Sequence, residues 1–406
     1  MIELFAEKKD CCGCGACMNI CPKTAISMEK DEYGFAYPKI NAEKCIGCGA
    51  CKKVCAFQNK PDRNQPQKVY AIASKSNEII KKSASGGLFA TMAMYVLEQG
   101  GCVYGAVMQH ESHKLKVRHV CCETKEELHR LQGSKYVQSS MGEIYKDVKK
   151  KLTKDILVLF SGTPCQVDAL KSYLKQDYQN LLTVDIICHG VPNEQFFNDY
   201  IHHIEKKIGG EICDFKFRDK SSGWGYNLTA EYVQQDGKTG YYRIIGSDSS
   251  YFDMFINSIA LRENCYRCKY TNKNRTGNIT IGDYWGIEDE HPDALQRNGG
   301  RLSEQSGISV MLLNDEKGKQ FFDKIKDRFD YYESTFEKAA KRNTQLVHPV
   351  KLANSRKNVM NLYKKWGYDA VEFYFWCRIP KQKAKSVIRK VLPKVARQKI
   401  KIMLHR

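Results

Sequence analysis

No stretch of this 406-residue chain approaches the roughly 20 consecutive apolar residues that a membrane-spanning helix needs. The opening residues MIELFAEKKD have neither a basic n-region nor an apolar h-region, so a secreted, disulfide-stapled scaffold is not expected. The segment Lys60 to Gln67 lacks apolar residues and holds two prolines, which reads as a linker. The end of the chain lacks one sign of charge. From Arg378 to Arg406 there are 11 Lys/Arg and no Asp or Glu, leaving +8 of the formal +19 for everything before it. These absences point to a non-membrane chain of a reducing compartment, expected in the cytoplasm, with a mildly basic body and a strongly basic tail.

Cysteine, by contrast, is abundant at 18 residues, and eight of them form two copies of one phrase. Cys11-x₂-Cys14-x₂-Cys17-x₃-Cys21-Pro22 is followed 34 residues later by Cys45-x₂-Cys48-x₂-Cys51-x₃-Cys55. This is the spacing of bacterial two-cluster ferredoxins, in which the fourth cysteine of each copy serves the other cluster. Cys11, Cys14, Cys17 and Cys55 are therefore assigned to one 4Fe-4S cluster, and Cys45, Cys48, Cys51 and Cys21 to its neighbour. The fourth cysteine is expected to begin a helix. The triple run is awkward for a single tetrahedral metal, which argues against zinc here. The second copy ends in Cys55-Ala56 without the proline, and Cys12 reads as a spectator between a ligand and a glycine.

With 42% hydrophobic and 11% aromatic residues the chain can bury a core, and its length exceeds what one core usually serves. Residues 1–59 form the two-cluster unit and 60–67 the linker. Apolar runs at Val69–Ala73, Cys102–Met108, Ile156–Phe160 and Leu181–Cys188 predict strands. Helices are predicted over Leu88–Gln99, stopped by Gly100-Gly101, and over Gln166–Leu174. Strand, helix and strand in succession predict an α/β core with parallel strands. Further strands are expected at Ile212–Arg218, Tyr226–Val233, Asn278–Ile281 and Ile308–Leu313, and mainly helix after about residue 315. The fold class is thus α+β/α/β, with a bacterial ferredoxin-like unit first, a mixed α/β domain in two parts (68–150 and 151–345), and a helical region with the basic tail (346–406).

Three further features are ambiguous from the residues alone. Ser83-Ala-Ser-Gly-Gly87 precedes a helix, where free N–H groups suit a phosphate, although an ordinary loop with a serine cap fits equally. Gln132-Gly-Ser-Lys-Tyr136 reads as a cofactor loop or a surface turn. Cys165 and Cys188 each follow a strand, and Cys265-x₂-Cys268 has a metal-type spacing. Together they make a four-thiolate site for a third 4Fe-4S cluster or for zinc, or else are small buried hydrophobes. Cys102, Cys121, Cys122, Cys213 and Cys377 have no comparable spacing.

The succession Ser-Ala-Ser-Gly-Gly (83–87), Gly-Ser-Lys-Tyr-Val-Gln (133–138), Gly-Thr-Pro-Cys-Gln (162–166), Cys-His-Gly-Val-Pro (188–192), Phe-Arg-Asp-Lys (217–220), Trp224, Cys-Tyr-Arg-Cys-Lys-Tyr (265–270) and Ile-Thr-Ile-Gly-Asp-Tyr-Trp-Gly (279–286) resembles the coenzyme F420 hydrogenase/dehydrogenase beta-subunit family. The match runs over roughly 68 to 315. The resemblance implies an oxidoreductase that binds FAD and at least one additional 4Fe-4S cluster. It places Ser85, Gly86 and Gly87 at FAD phosphates and Ser134, Lys135 and Tyr136 beside the cofactor. Cys165, Cys188, Cys265 and Cys268 become third-cluster ligands, and Asp283 and Trp285 shape the region between. Arg218 and Lys220 face either an anionic substrate or solvent.

Electrons would pass between the clusters and FAD, and from FAD to or from a two-electron small molecule: coenzyme F420, or in a bacterium a substrate of exopolysaccharide synthesis. The alternative is a non-catalytic electron-transfer subunit serving a partner enzyme. A redox partner protein or low-potential donor is implied in either case. The basic tail, interrupted by Pro393, is read as a solvated or partner-docking segment or as a contact with the inner face of an anionic membrane, with nucleic acid a minor alternative.

Overall fold

The computed structural model describes residues 3–59, 63–221 and 223–378; the basic tail from Lys381 and the first half of the expected linker lie outside the described residues. Among the described residues thirteen strands run in chain order: β1 (Ile26–Lys30), β2 (Ala36–Ile40), β3 (Lys68–Ser74), β4 (Cys102–Glu111), β5 (Lys114–Cys122), β6 (Val158–Gly162), β7 (Leu181–Ile186), β8 (Gly210–Lys216), β9 (Asn227–Gln234), β10 (Thr239–Ile245), β11 (Ile279–Asp283), β12 (Ser309–Leu313) and β13 (Phe329–Ser334).

Eight of them form one mixed sheet in the order β13-β3-β12-β11-β7-β6-β4-β5. The four central strands β11, β7, β6 and β4 are parallel, as the strand–helix–strand pattern predicts, and both flanks are antiparallel. Central strands such as Val158-Leu159-Phe160 are buried on both faces, which is why they read as continuous apolar runs. Helices Leu88–Glu98 and Glu316–Ile325 cover one face; Ile144–Leu152 and Pro164–Leu174 cover the other. Strand β4 shows the period of two: Val103 and Val107 face the first layer, Cys102 and Tyr104 the second. Both parts of the expected α/β region contribute to this sheet.

β8, β9 and β10 make a separate antiparallel sheet against helices Glu194–Ile208, Ser250–Ile256 and Arg356–Trp366, and a further helix covers 368–378. The N-terminal unit is a β1–β2 pair with two short helices, Ala16–Ile20 and Ala50–Lys53. Its internal repetition extends to backbone angles: φ is 67° at Gly13 and 70° at Gly47, 74° at Gly15 and 72° at Gly49. These left-handed turns close both cysteine loops without a Cβ penalty.

The chain after residue 315 is mainly helical, as expected, with one interruption that the sequence did not announce: β13 pairs with β3 as the sheet edge. The second half of the expected linker is paired with the body: Asn64 exchanges backbone bonds with Arg275, and the Gln67 N–H donates to the Leu313 carbonyl (2.7 Å). Among the described residues no helix is long and apolar enough to cross a membrane.

Candidate redox site

Cys11, Cys14, Cys17 and Cys55 surround one void in the N-terminal unit, and Cys21, Cys45, Cys48 and Cys51 surround the next. The exchange of fourth cysteines follows from where the helices end. Cys17 and Cys51 lie within the two short helices, whereas Cys21 caps the end of Ala16–Ile20 and Cys55 follows Ala50–Lys53. The fourth cysteine therefore ends a helix rather than beginning one, and the chain leaving that helix carries its thiol toward the other set. Four thiols spaced around a void suit a cage with iron at its corners. Burial pushes the Cys11 thiol up to about 11, so cluster loading would displace protons from these sulfurs.

Cys165, Cys188, Cys265 and Cys268 arrive from three segments. Cys165 sits in the first turn of Pro164–Leu174, directly after β6, where Thr163 and Gln166 form a reciprocal capping box. The Thr163 hydroxyl lies 3.1 Å from the Cys165 sulfur. Cys188 follows the end of the neighbouring parallel strand β7, so both occupy the carboxyl edge where open α/β sheets place ligands. Cys265 lies in, and Cys268 just after, the turn Glu263–Arg267. The four are close enough to act on one another: burial raises the Cys188 thiol, and Cys265, Cys165 and Cys268 raise it further. Cys12 is not an isolated spectator. It is 4% exposed and packs with Cys14, Cys55, Cys165 and Cys268, so it joins the first N-terminal set to the third.

Beyond Cys165 and Cys188 opens a cavity of about 470 Å³, within the range of small-molecule and cofactor sites. Ser85 and Gly87 line it, as do Ser134, Lys135 and Tyr136 from the second motif. Gly86 does not: its N–H donates to the Ser309 hydroxyl (2.9 Å), and a Cβ there would meet the Ile72 carbonyl oxygen at 2.8 Å. Gly86 thus packs the loop onto the sheet. Gly87, at φ 81°, precedes the helix Leu88–Glu98, and no side chain caps that helix start. The serine-cap reading therefore fails, and first-turn N–H groups remain available to an anion.

Neither Arg218 nor Lys220 is a solvated strand end. Lys220 Nζ donates to the carbonyls of Ile80, Ser85 and Ser306 at 2.8, 2.6 and 2.5 Å, tying the 83–87 loop in place. Arg218 pairs with Asp283 (2.8 Å), donates to the Tyr136 hydroxyl (3.2 Å) and stacks near Tyr226 and Trp285. Trp224 lies flat on Trp285 (4.8 Å between rings) and donates to Asp283 (3.1 Å). Asp283 and Trp285 thereby form the aromatic and charged end of the cavity wall. Asn278 receives bonds from Thr183 and donates to Asp315, a structural role at the base of β11.

Lys135 donates to the carbonyls of Arg130 and Gln132 (3.0 and 2.7 Å) rather than forming a salt bridge. Burial draws its pKa down to about 7. His119 was not visible as a site residue in the sequence, being one polar residue of β5. It lines the cavity, stacks on Phe160, and accepts the neutral form because burial lowers its pKa to about 4. With Nε2 donating to the Ser161 carbonyl (2.9 Å), Nδ1 is an acceptor without a partner.

Comparisons with known proteins agree with this division. Residues 69–146 match the N-terminal and residues 156–338 the C-terminal region of the coenzyme F420 hydrogenase/dehydrogenase beta subunit, and residues 10–59 match a 4Fe-4S dicluster domain. An uncharacterized protein of Methanocaldococcus jannaschii is 24% identical over 352 residues, covering 77% of this chain and 85% of the relative. A chain of the F420-reducing NiFe hydrogenase complex from Methanosarcina barkeri aligns with a TM-score of 0.43 at 15% identity, over 75% of this chain and 94% of that one. A dicluster domain fused to such a subunit points to iron–sulfur electron transfer within an oxidoreductase family. This chain belongs to the coenzyme F420 hydrogenase/dehydrogenase beta-subunit family and carries an N-terminal 4Fe-4S dicluster domain.

Proposed function

We propose that this protein is an iron–sulfur flavoenzyme that passes single electrons along three 4Fe-4S clusters and exchanges electron pairs with a small molecule through FAD. The observation that carries the reading is the unbroken order of the sulfur sets. Cys48 is exposed at one end, Cys12 touches both inner sets, and Cys165 and Cys188 form part of the cavity wall at the other. The ligand assignment is the one given above: Cys21, Cys45, Cys48 and Cys51 outermost, Cys11, Cys14, Cys17 and Cys55 next, then Cys165, Cys188, Cys265 and Cys268.

The donor set of the cavity supports FAD, which when bound would supply the exchange between one- and two-electron chemistry. The uncapped start of Leu88–Glu98 would receive phosphate oxygens, with Ser85 and Gly87 at its mouth. Ser134 and Tyr136 line the cavity beside it, Lys135 offers a cation for an anion, and His119 Nδ1 an acceptor for a ring N–H. The aromatic wall of Tyr226 and Trp285, held by Arg218–Asp283, favours a flat two-electron partner such as a deazaflavin of the F420 type. A substrate of exopolysaccharide synthesis is the other candidate.

Anaerobic purification with iron, sulfide and flavin measured on one sample tests the reading. About twelve iron and twelve sulfide atoms per chain, as three four-iron clusters require, with stoichiometric FAD are expected. Clusters without flavin would instead identify an electron-transfer subunit for a partner enzyme, and absence of iron after reconstitution would refute both. For the tail, exposed Phe373 and Trp376 on the helix preceding it support contact with an anionic membrane surface. Full-length protein should co-sediment with anionic vesicles and protein ending at residue 378 should not; equal sedimentation removes that contact.

A further inference from the structure

Among the described residues Arg262 is the largest fully buried side chain, with no measurable exposure, and no carboxylate forms an ion pair with it. The other deeply buried arginines do have such partners: Arg218 has Asp283 and Arg275 has Asp185. Isolating a guanidinium from water without a counter-charge is costly, so an anion is required that the side chains do not supply.

What surrounds Arg262 is sulfur. Its Nε donates to the Cys11 carbonyl (2.9 Å), its Nη1 donates to Gln138 Oε1 (3.3 Å), and its Nη2 lies 3.8 Å from the Cys11 sulfur. The Tyr37 ring covers one face of the guanidinium at 4.1 Å. Gly13 presses close enough that a Cβ would stand 2.8 Å from the guanidinium carbon. The guanidinium thus lies against the loop of the first inner set, and the backbone ties it to the third, the Cys265 N–H donating to the Arg262 carbonyl (3.0 Å). Arg262 is also placed by the segment that carries Cys265 and Cys268, its N–H donating to the Val191 carbonyl (2.9 Å).

We propose that Arg262 is a positioning residue, the shared counter-ion of the two inner clusters, and that it raises their reduction potentials above that of the outer cluster. The inference rests on the reading that the three cysteine sets hold 4Fe-4S clusters. A fixed cation stabilises whichever state carries more negative charge, which for a thiolate-held cluster is the reduced one. An electron delivered to the outer cluster by a one-electron donor then moves inward, oxidising the outer cluster and reducing an inner one, with no proton transferred. It collects at the junction beside the cavity.

The test is a redox titration followed by electron paramagnetic resonance on anaerobically reconstituted full-length protein, wild type against Arg262→Gln and Arg262→Lys, with iron and sulfide measured on each sample. Arg262→Gln is expected to lower the reduced-to-oxidised ratio of the inner clusters about tenfold at fixed potential, a midpoint about 59 mV lower for a one-electron couple. The outer midpoint should stay in place, and Arg262→Lys should retain most of the wild-type value. Inner midpoints unchanged in fully loaded Arg262→Gln, or an outer midpoint that moves equally, would overturn the proposal. Should Arg262→Gln fail to hold iron, Arg262→Lys decides: loading rescued by lysine supports a requirement for charge, and equal loss in both assigns a packing role and overturns it. Wild-type protein without iron would refute the cluster reading itself, a failure distinct from the others.

Discussion

Lys220 illustrates how a charged residue can serve a site without facing it. Its ammonium gathers the carbonyls of Ile80, Ser85 and Ser306, the first of which also accepts from the Ser83 N–H (3.1 Å). Lys220→Met should destabilise the protein by about 1–3 kcal/mol in urea unfolding, the usual penalty for stranded buried polar groups, and, on the proposed flavoenzyme reading, should release flavin on desalting. Lys135 gives a pH signature. Its pKa near 7 in the folded chain lies below the ordinary 10.5, so between these values the unfolded chain holds a proton that the folded one lacks. Stability therefore rises as pH climbs from 7 toward 10.5, and the burial penalty is complete below 7. The urea midpoint should rise from pH 7 to pH 9.5 more steeply for the wild type than for Lys135→Met, in which buried Lys220, drawn down to about 8, still contributes a rise. At this scale the cysteine sets were legible because ligand spacing is local. His119 and Arg262 were not, since one polar residue in a strand or turn reveals nothing until the sheet and the N-terminal unit close over it.

At the level of elements, the start of Leu88–Glu98 depends on Gly87. A Cβ there would stand 2.9 Å from Ile79 Cγ2 and 3.3 Å from Ser74 Cβ, at a φ of 81°. Gly87→Ala should cost at least about 1–2 kcal/mol for the left-handed backbone alone, and, on the proposed flavoenzyme reading, should reduce bound flavin measured after gel filtration. The buried pair Asp185–Arg275 anchors the end of β7, with Asp185 also accepting from Thr276 and Gly277. Asp185→Ala leaves that guanidinium uncompensated and should cost about 3–5 kcal/mol by chemical denaturation. The central strands were readable because burial on both faces leaves unbroken apolar runs. Strands β5 and β13 lie at the two sheet edges, where half the side chains face water. Phe329-Asp-Tyr-Tyr-Glu-Ser334 carries too little apolar character to announce a strand, yet Tyr331 packs on Tyr70 at 5.4 Å once β3 is beside it.

Over the whole molecule, the sequence divides a cluster-bearing unit from an α/β body, and the structure stitches them together. Gln138 donates to the Cys12 carbonyl (3.0 Å), Tyr145 to that of Cys14 (3.0 Å), Asn19 to that of Gly142 (2.7 Å) and Lys269 to that of Phe57 (2.7 Å). These contacts join residues more than a hundred positions apart, so no local pattern could announce them. Differential scanning calorimetry of the full chain should show one cooperative transition rather than separate melting of residues 1–59.

In the outer set Cys48 is exposed, in the same loop as Ile46, which is 60% exposed. On the proposed three-cluster reading, dioxygen diffusing to the protein would meet that cage before either of the interior ones. Damage by air would then be staged: the molecule should forfeit its outward terminal first, losing communication with a redox partner while the chemistry at its far end stays intact.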